Sequence, residues 1–268
     1  MPTIDAHPVG RFCWIELGTT DLEKAKPFYA EIFGWDSKEE PAGEMGTYTM
    51  FTKGEHEVAG AYTQPPEMVA AGVPPNWMPY VNVASVDETL ERAKALGATN
   101  PMGPLDVMDI GRMAFFQDPV GATIALWQAK SHRGPSLVYE PGCPNWYEGM
   151  SKDVAKSVAF YTELFGWTSE VKPVTTGDGD TIEYHVYKQG DDQVGGTMQM
   201  GPEFGPVPSH WTVYVQVEDL DVAHGKVEGL GGKTVVPPMP IPDVGRFCQV
   251  TDPTGAHLAL IEMAPGDC

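Results

Sequence analysis

The chain repeats itself, and that repeat limits its fold more than any other feature. Residues 28–35 read FYAEIFGW and residues 160–167 read FYTELFGW. Each is preceded by a related stretch, WIELGTTDLEKAKP from Trp14 and WYEGMSKDVAKSVA from Trp146, 132 residues apart. A second pair, GRMAFFQDPVGATIALWQ from Gly111 and GRFCQVTDPTGAHLALIE from Gly245, lies 134 residues apart. Two long matches at nearly one spacing mean a duplicated domain.

Each half divides again. In the first, Phe12–Leu17 alternates as a strand does, and Asp21 can cap a helix whose apolar residues Ala25, Phe28, Tyr29 and Ile32 recur at helical spacing up to Gly34. Strands follow at 47–52 and 58–62. The pattern restarts with a strand at 76–83, a helix at 86–96, and strands at 112–117 and 123–128. The second half repeats the order. The sequence therefore predicts an α+β chain of four βαβββ modules, with cup-shaped sheets and helices on their convex sides. Residues 1–130 form one domain, 131–142 a Pro/Gly-containing linker, and 143–268 the second domain.

These repeated residues resemble the vicinal oxygen chelate superfamily, which contains glyoxalase I, extradiol dioxygenases and bleomycin-resistance proteins. The tandem arrangement is similar to its CFP30B-like two-domain subgroup. The resemblance implies two glyoxalase-like domains, each a cup that holds a small molecule. In metal-binding relatives the ligands come from the first and last strands of paired modules. Here those positions fall on Trp14, Gly60, Met78 and Ala125, and on Trp146, Gly196, Thr212 and Ala259. None carries a carboxylate or imidazole, so no metal cofactor is expected there.

Strand parity supplies a list of residues that look into the cups. Ile15 and Leu17, Val81 and Val83, the valines at 213, 215 and 217, and the aliphatics of the closing strands belong under helices. Phe12, Trp14, Glu16, Met78, Tyr80 and Asn82 then face the first cup, with Thr123, Ala125 and Trp127. Trp146, Glu148, His210, Thr212, Tyr214, Gln216, His257, Ala259 and Ile261 face the second. By the same parity Trp77 and Trp211 are core residues.

Glu16 and Glu148, each beside a tryptophan, are the candidate catalytic groups: a carboxylate against an indole loses hydration and becomes a general acid or base. The competing assignment is a structural glutamate paired with an arginine or a backbone amide. Trp14, Trp146, Met78, Tyr80 and Tyr214 are candidate ligand contacts, the tryptophans as stacking surfaces. Arg112 and Arg246 can clamp a ligand carboxylate or tie down a neighbouring loop. A displaced metal site built from His185, His210 and His257 with Glu148 is the alternative to a metal-free cup.

Charge and composition narrow the partners. With 42% hydrophobic and 20% charged residues the chain is globular. A formal charge of −20 without a basic cluster argues against nucleic acid. No apolar run is long enough for a membrane span, and the N-terminus lacks a secretory pattern, which points to the cytoplasm. The cysteines show no zinc spacing; Cys13 and Cys248 sit in apolar runs as inert thiols, and Cys268 ends the chain. A monomer or homodimer acting on a small molecule is expected, with lyase or isomerase chemistry first. Drug or metabolite binding without catalysis is the alternative, and a metal-dependent lyase or dioxygenase the third.

Overall fold

The computed structural model describes residues 3–42, 46–175 and 181–264; Cys268 lies outside them. The first half runs β1 (Phe12–Thr19), α1 (Leu22–Phe33), β2 (Asp36–Pro41), β3 (Thr47–Lys53), β4 (His56–Thr63), the short α2 (Pro66–Ala70), β5 (Asn76–Asn82), α3 (Val86–Ala95), β6 (Thr99–Val107), β7 (Gly111–Gln117) and β8 (Thr123–Ala129). The second runs β9 (Pro144–Ser151), α4 (Val154–Phe165), β10 (Thr168–Thr175), β11 (Thr181–Gln189), β12 (Asp192–Gln199), β13 (His210–Gln216), α5 (Leu220–Val227), β14 (Lys233–Ile241), β15 (Gly245–Thr251) and β16 (His257–Met263).

Each half is one eight-stranded sheet, in the orders β2-β3-β4-β1-β5-β8-β7-β6 and β10-β11-β12-β9-β13-β16-β15-β14. The antiparallel pairs β1–β5 and β9–β13 join the two modules of each half at mid-sheet. Parallel neighbours flank those pairs on both sides.

The helices α1 and α4 begin and end where the sequence says, whereas α2 is unexpected and α3 and α5 end one or two residues early. Asp21 accepts from the Lys24 amide and Gly34 closes α1 in the left-handed region; Asp153 and Gly166 do the same for α4. Every module has one strand more than the alternation reveals. β2 is exposed along its whole length, and β6, β10 and β14 are proline-containing edge strands. With one or both faces in water, an edge strand carries no apolar alternation to read. Among the described residues no helix is long and apolar enough to cross a membrane.

The two sheets pack back to back, module against module. Ile15 and Leu17 with α1 residues Phe28 and Tyr29 share one core with Val213, Val215, Leu258 and Leu260. Val81, Leu90 and Phe116 share the other with Phe160, Tyr161 and Trp211. The repeated motifs cross this seam. Tyr29 donates to Asp252 at 2.9 Å and accepts from the Trp77 indole at 2.9 Å. In return Tyr161 donates to Asp118 at 2.9 Å and accepts from Trp211 at 2.9 Å. Each aspartate also takes two or more amides of its own DPxG turn, so a buried carboxylate is satisfied while it ties the halves together. With both helical faces spent on this seam, the concave faces look outward.

Candidate active site

The floor of each cup carries one oriented chain of hydrogen bonds. In the first half the Trp14 Nε1–H donates to Tyr48 Oη at 3.2 Å. Tyr48 donates to Glu16 Oε1 at 2.8 Å, and Tyr80 donates to Glu16 Oε2 at 2.8 Å. In the second half Trp146 donates to Tyr184 Oη at 2.8 Å, Tyr184 bonds to Glu148, and Tyr214 donates to Glu148 Oε2 at 2.8 Å. An indole can only donate, so the outer tyrosine's oxygen is taken and its proton is left for the carboxylate.

Local sequence explains this geometry. Glu16 lies beside Gly60 on β4 and Met78 on β5; Glu148 lies beside Gly196 on β12 and Thr212 on β13. Tyr48 and Tyr184 reach the carboxylates by lying across those glycines. A Cβ at Gly60 would sit 1.8 Å from Tyr48 Oη, and one at Gly196 2.4 Å from Tyr184 Oη. Only a residue without a side chain leaves the path open.

Glu148 is buried and Glu16 partly so, and neither has an ion-pair partner among the described residues. Burial raises the pKa of both above the ordinary carboxylate value, and the tyrosine hydrogen bonds pull back against that rise. Burial, followed by the carboxylate's charge, lifts the four tyrosines well above their ordinary value, so they stay neutral donors. Tyr62, facing Gly18 in the first cup, is pushed up to about 12 by burial and then by Glu16.

The structure gathers Trp14, Glu16, Met78 and Tyr80 in one apolar-rimmed cluster, and Trp146 and Tyr214 in another beside Glu148. Parity alone would not have found Tyr48 and Tyr184. The available signal was their equivalent place in the two halves, each two residues before the position paired with a glycine on the neighbouring strand.

Other expected residues lie elsewhere. Phe12 is stacked on Tyr147 in the core at 4.0 Å, because a bulge between Phe12 and Trp14 shifts the parity of β1. Arg112 and Arg246 are outside the cups. Arg112 grips Asp87 through two nitrogens at 2.7 and 3.0 Å and also Asp106; Arg246 grips Asp221 at 2.8 and 2.9 Å. Both pin the first turn of a helix, and neither pairs with Glu16 or Glu148.

The three histidines of the displaced metal set do not converge. His210 and His257 stand 6.0 Å apart between ring centroids on the cup side. His185 pairs with Thr197 on the helix-facing side and meets Ser169. Nor do the family's ligand positions fit an ion. Their side chains are indole, thioether, methyl, hydroxyl or none, and the space over Gly60 and Gly196 is filled by tyrosine rings. Among the described residues no three His, Cys, Asp or Glu side chains form a ligand group.

The cups differ in cover. The linker's His132 stands edge-on to Trp14 at 4.5 Å, and its carbonyl accepts from Trp127 Nε1 at 2.9 Å. Trp14 is buried beneath it, whereas Trp146 is half-buried.

Comparison with known proteins agrees with this architecture. Residues 11–126 and again 145–260 match the family described as Glyoxalase/Bleomycin resistance protein/Dioxygenase superfamily. The Mycobacterium tuberculosis protein CFP32, a glyoxylase by name, is 37% identical over 99% of both chains. The anthracycline biosynthesis protein DnrV of Streptomyces peucetius is 30% identical, covering 96% of this chain and 94% of its own. Among solved structures, 2,2',3-trihydroxybiphenyl 1,2-dioxygenase from Sphingomonas wittichii superimposes with a TM-score of 0.65 at 14% identity, over 97% of this chain and 93% of that one. At that identity the likeness shows the fold alone. With both halves matched and full-length relatives at this identity, the chain belongs to the Glyoxalase/Bleomycin resistance protein/Dioxygenase superfamily.

Proposed function

We propose that the chain binds a small planar metabolite in a cup and acts on it as a lyase or isomerase, without the metal that many relatives use. The observation that carries this reading is a buried glutamate with no cationic partner among the described residues, held between two tyrosine hydroxyls. A carboxylate whose pKa is raised by burial is a stronger proton acceptor than a solvated one. Glu16 or Glu148 would take a proton from a carbon beside a carbonyl. As the carboxylate takes up that proton, a tyrosine hydroxyl released from it would turn to stabilise the developing oxyanion, and the same carboxyl would return the proton to a neighbouring carbon. Trp14 or Trp146 would stack on the ligand. The relatives named for anthracycline biosynthesis make polycyclic aromatic ketones the first compounds to try.

Calorimetric titration and turnover assays over aromatic ketones, catechols and 2-oxoaldehydes test the proposal. In the Glu16→Gln/Glu148→Gln double variant, binding is expected to persist while turnover falls on the order of 10²–10⁴-fold. Undiminished turnover in that variant would contradict it. Tight binding by wild type with no turnover selects the second reading, a sequestering protein, which the aromatic lining favours.

A further inference from the structure

The two halves share the Trp–Tyr–Glu–Tyr chain, but among the described residues only the second extends it. Beyond Tyr214 the amide of Gln249 bonds to the tyrosine hydroxyl, and its Oε1 lies 3.3 Å from His257 Nε2. The carboxylate fixes the direction of every link. Tyr214 spends its proton on Glu148, so its oxygen accepts the Gln249 N–H. That turns Oε1 toward His257, whose Nε2 must then carry the proton. His210 is oriented too, its Nδ1 lying 2.8 Å from the Pro208 carbonyl, which can only accept.

Tyr214 lies beside Ala259, so Thr212 and His257, each two residues earlier, come next along their strands. Thr212 Oγ1, fully buried next to Glu148, has no hydrogen-bond partner among the described residues. The floor around Glu148 thus holds one unfilled polar position. In the first half the corresponding residues are Phe115 for Gln249, Thr123 for His257, Asn76 for His210 and Met78 for Thr212. There the chain stops at Tyr80, and the linker's His132 lies over Trp14.

We infer that the second cup is the working site, and that Gln249 and His257 are positioning residues that hold the Tyr214 proton on Glu148. The inference rests on the reading of Glu148 as proton acceptor. A hydroxyl that accepts a hydrogen bond becomes the stronger donor, so Gln249 strengthens Tyr214's hold on the carboxylate. The titratable groups facing this floor are Tyr184 on β11, Tyr214 and His210 on β13 and His257 on β16, with Lys172 on β10 opposite Tyr184. Gly196 on β12 and Gln249 and Phe247 on β15 bring no charge.

The test is a carbon-13 NMR titration of glutamate-carboxyl-labelled protein, with the two signals assigned by Glu16→Gln and Glu148→Gln. Gln249→Phe and His257→Thr install the residues the first half already uses. Gln249→Leu is the reserve if the phenylalanine does not fold, with folding followed by thermal melting. The Glu148 midpoint is expected to rise by about one pH unit in the Gln249 variant, roughly tenfold in proton affinity, and by less in His257→Thr. The Glu16 midpoint is expected to stay in place. A Glu148 midpoint unmoved in folded variants, or Glu16 moving with it, overturns the inference. Failure here with Glu148→Gln still inactive removes only the positioning role. A shifted Glu148 with full turnover in the double glutamine variant removes the catalytic reading instead.

Discussion

The first cup is a finished aromatic box; the second is the same box with a polar wall. Both rest on a glutamate between two tyrosines, in the shadow of a glycine that lets one tyrosine ring pass. Around Glu16 the further neighbours are Met78, Phe115 and Trp127, with His132 over the top. Around Glu148 they are Thr212, Gln249, His257 and His210. Duplication therefore kept the carboxylate and its two donors in both halves, while the shell around them changed chemistry. The shared part is what the sheet must solidify to bury a carboxylate at all; the divergent part is what a ligand would distinguish.

The largest effect expected from this difference is acid sensitivity confined to the second cup. Burial, and then the neighbouring His210, lowers the His257 pKa from 6.5 to about 4. Above pH 6.5 His257 is neutral in both folded and unfolded chain, and its contribution to stability is fully present. As pH falls below 6.5 the unfolded chain takes up a proton that the fold refuses until about pH 4. Stability is lost through that window, on the order of 3 kcal/mol in all. Denaturant melts of wild type and His257→Thr between pH 7 and 4 check this. The variant, carrying the first cup's residue, is expected to lose the histidine part of the slope; an identical slope would mean the second wall is not held neutral.

Next come the glycines, where the cups should behave alike. Gly60→Ala and Gly196→Ala each push a methyl into a tyrosine ring and are expected to cost about 2 kcal/mol, read as a fall in melting temperature. Tyrosine displacement should appear in the near-ultraviolet circular dichroism. If one substitution is silent, the shared floor is not shared.

The smallest effect separates the covers. His132→Ala removes an edge-on aromatic contact with Trp14, expected to cost about 1 kcal/mol. It should make Trp14 accessible to acrylamide, which a Trp14→Phe background can verify by loss of the signal. Unchanged quenching would show that the linker does not close the first cup.

Much of this was legible in the sequence because burial writes itself into alternation. Ile15, Leu17, Val81, Val213 and Leu258 read as core, and they are. Glu16 and Glu148 read as inward-looking, and their tyrosine partners place them there. What was not legible had specific causes. The edge strands β2 and β6 face water and contain prolines, so nothing alternates. Phe12 was misplaced by a one-residue bulge, which inverts every inference drawn across it. Arg112 and Arg246 are repeated in both halves for a helix-pinning reason that spacing does not distinguish from a ligand-clamping one. Gln249 was invisible because the repeat directs attention to what is kept, and Gln249 is what changed.

The measurement that bears most directly on the difference between the cups is turnover by the two single glutamine variants, on whichever substrate the wild-type chain accepts. The account predicts that Glu148→Gln loses about 10²-fold or more, and at least about tenfold more than Glu16→Gln. Equal losses, or a larger loss from Glu16→Gln, would contradict it.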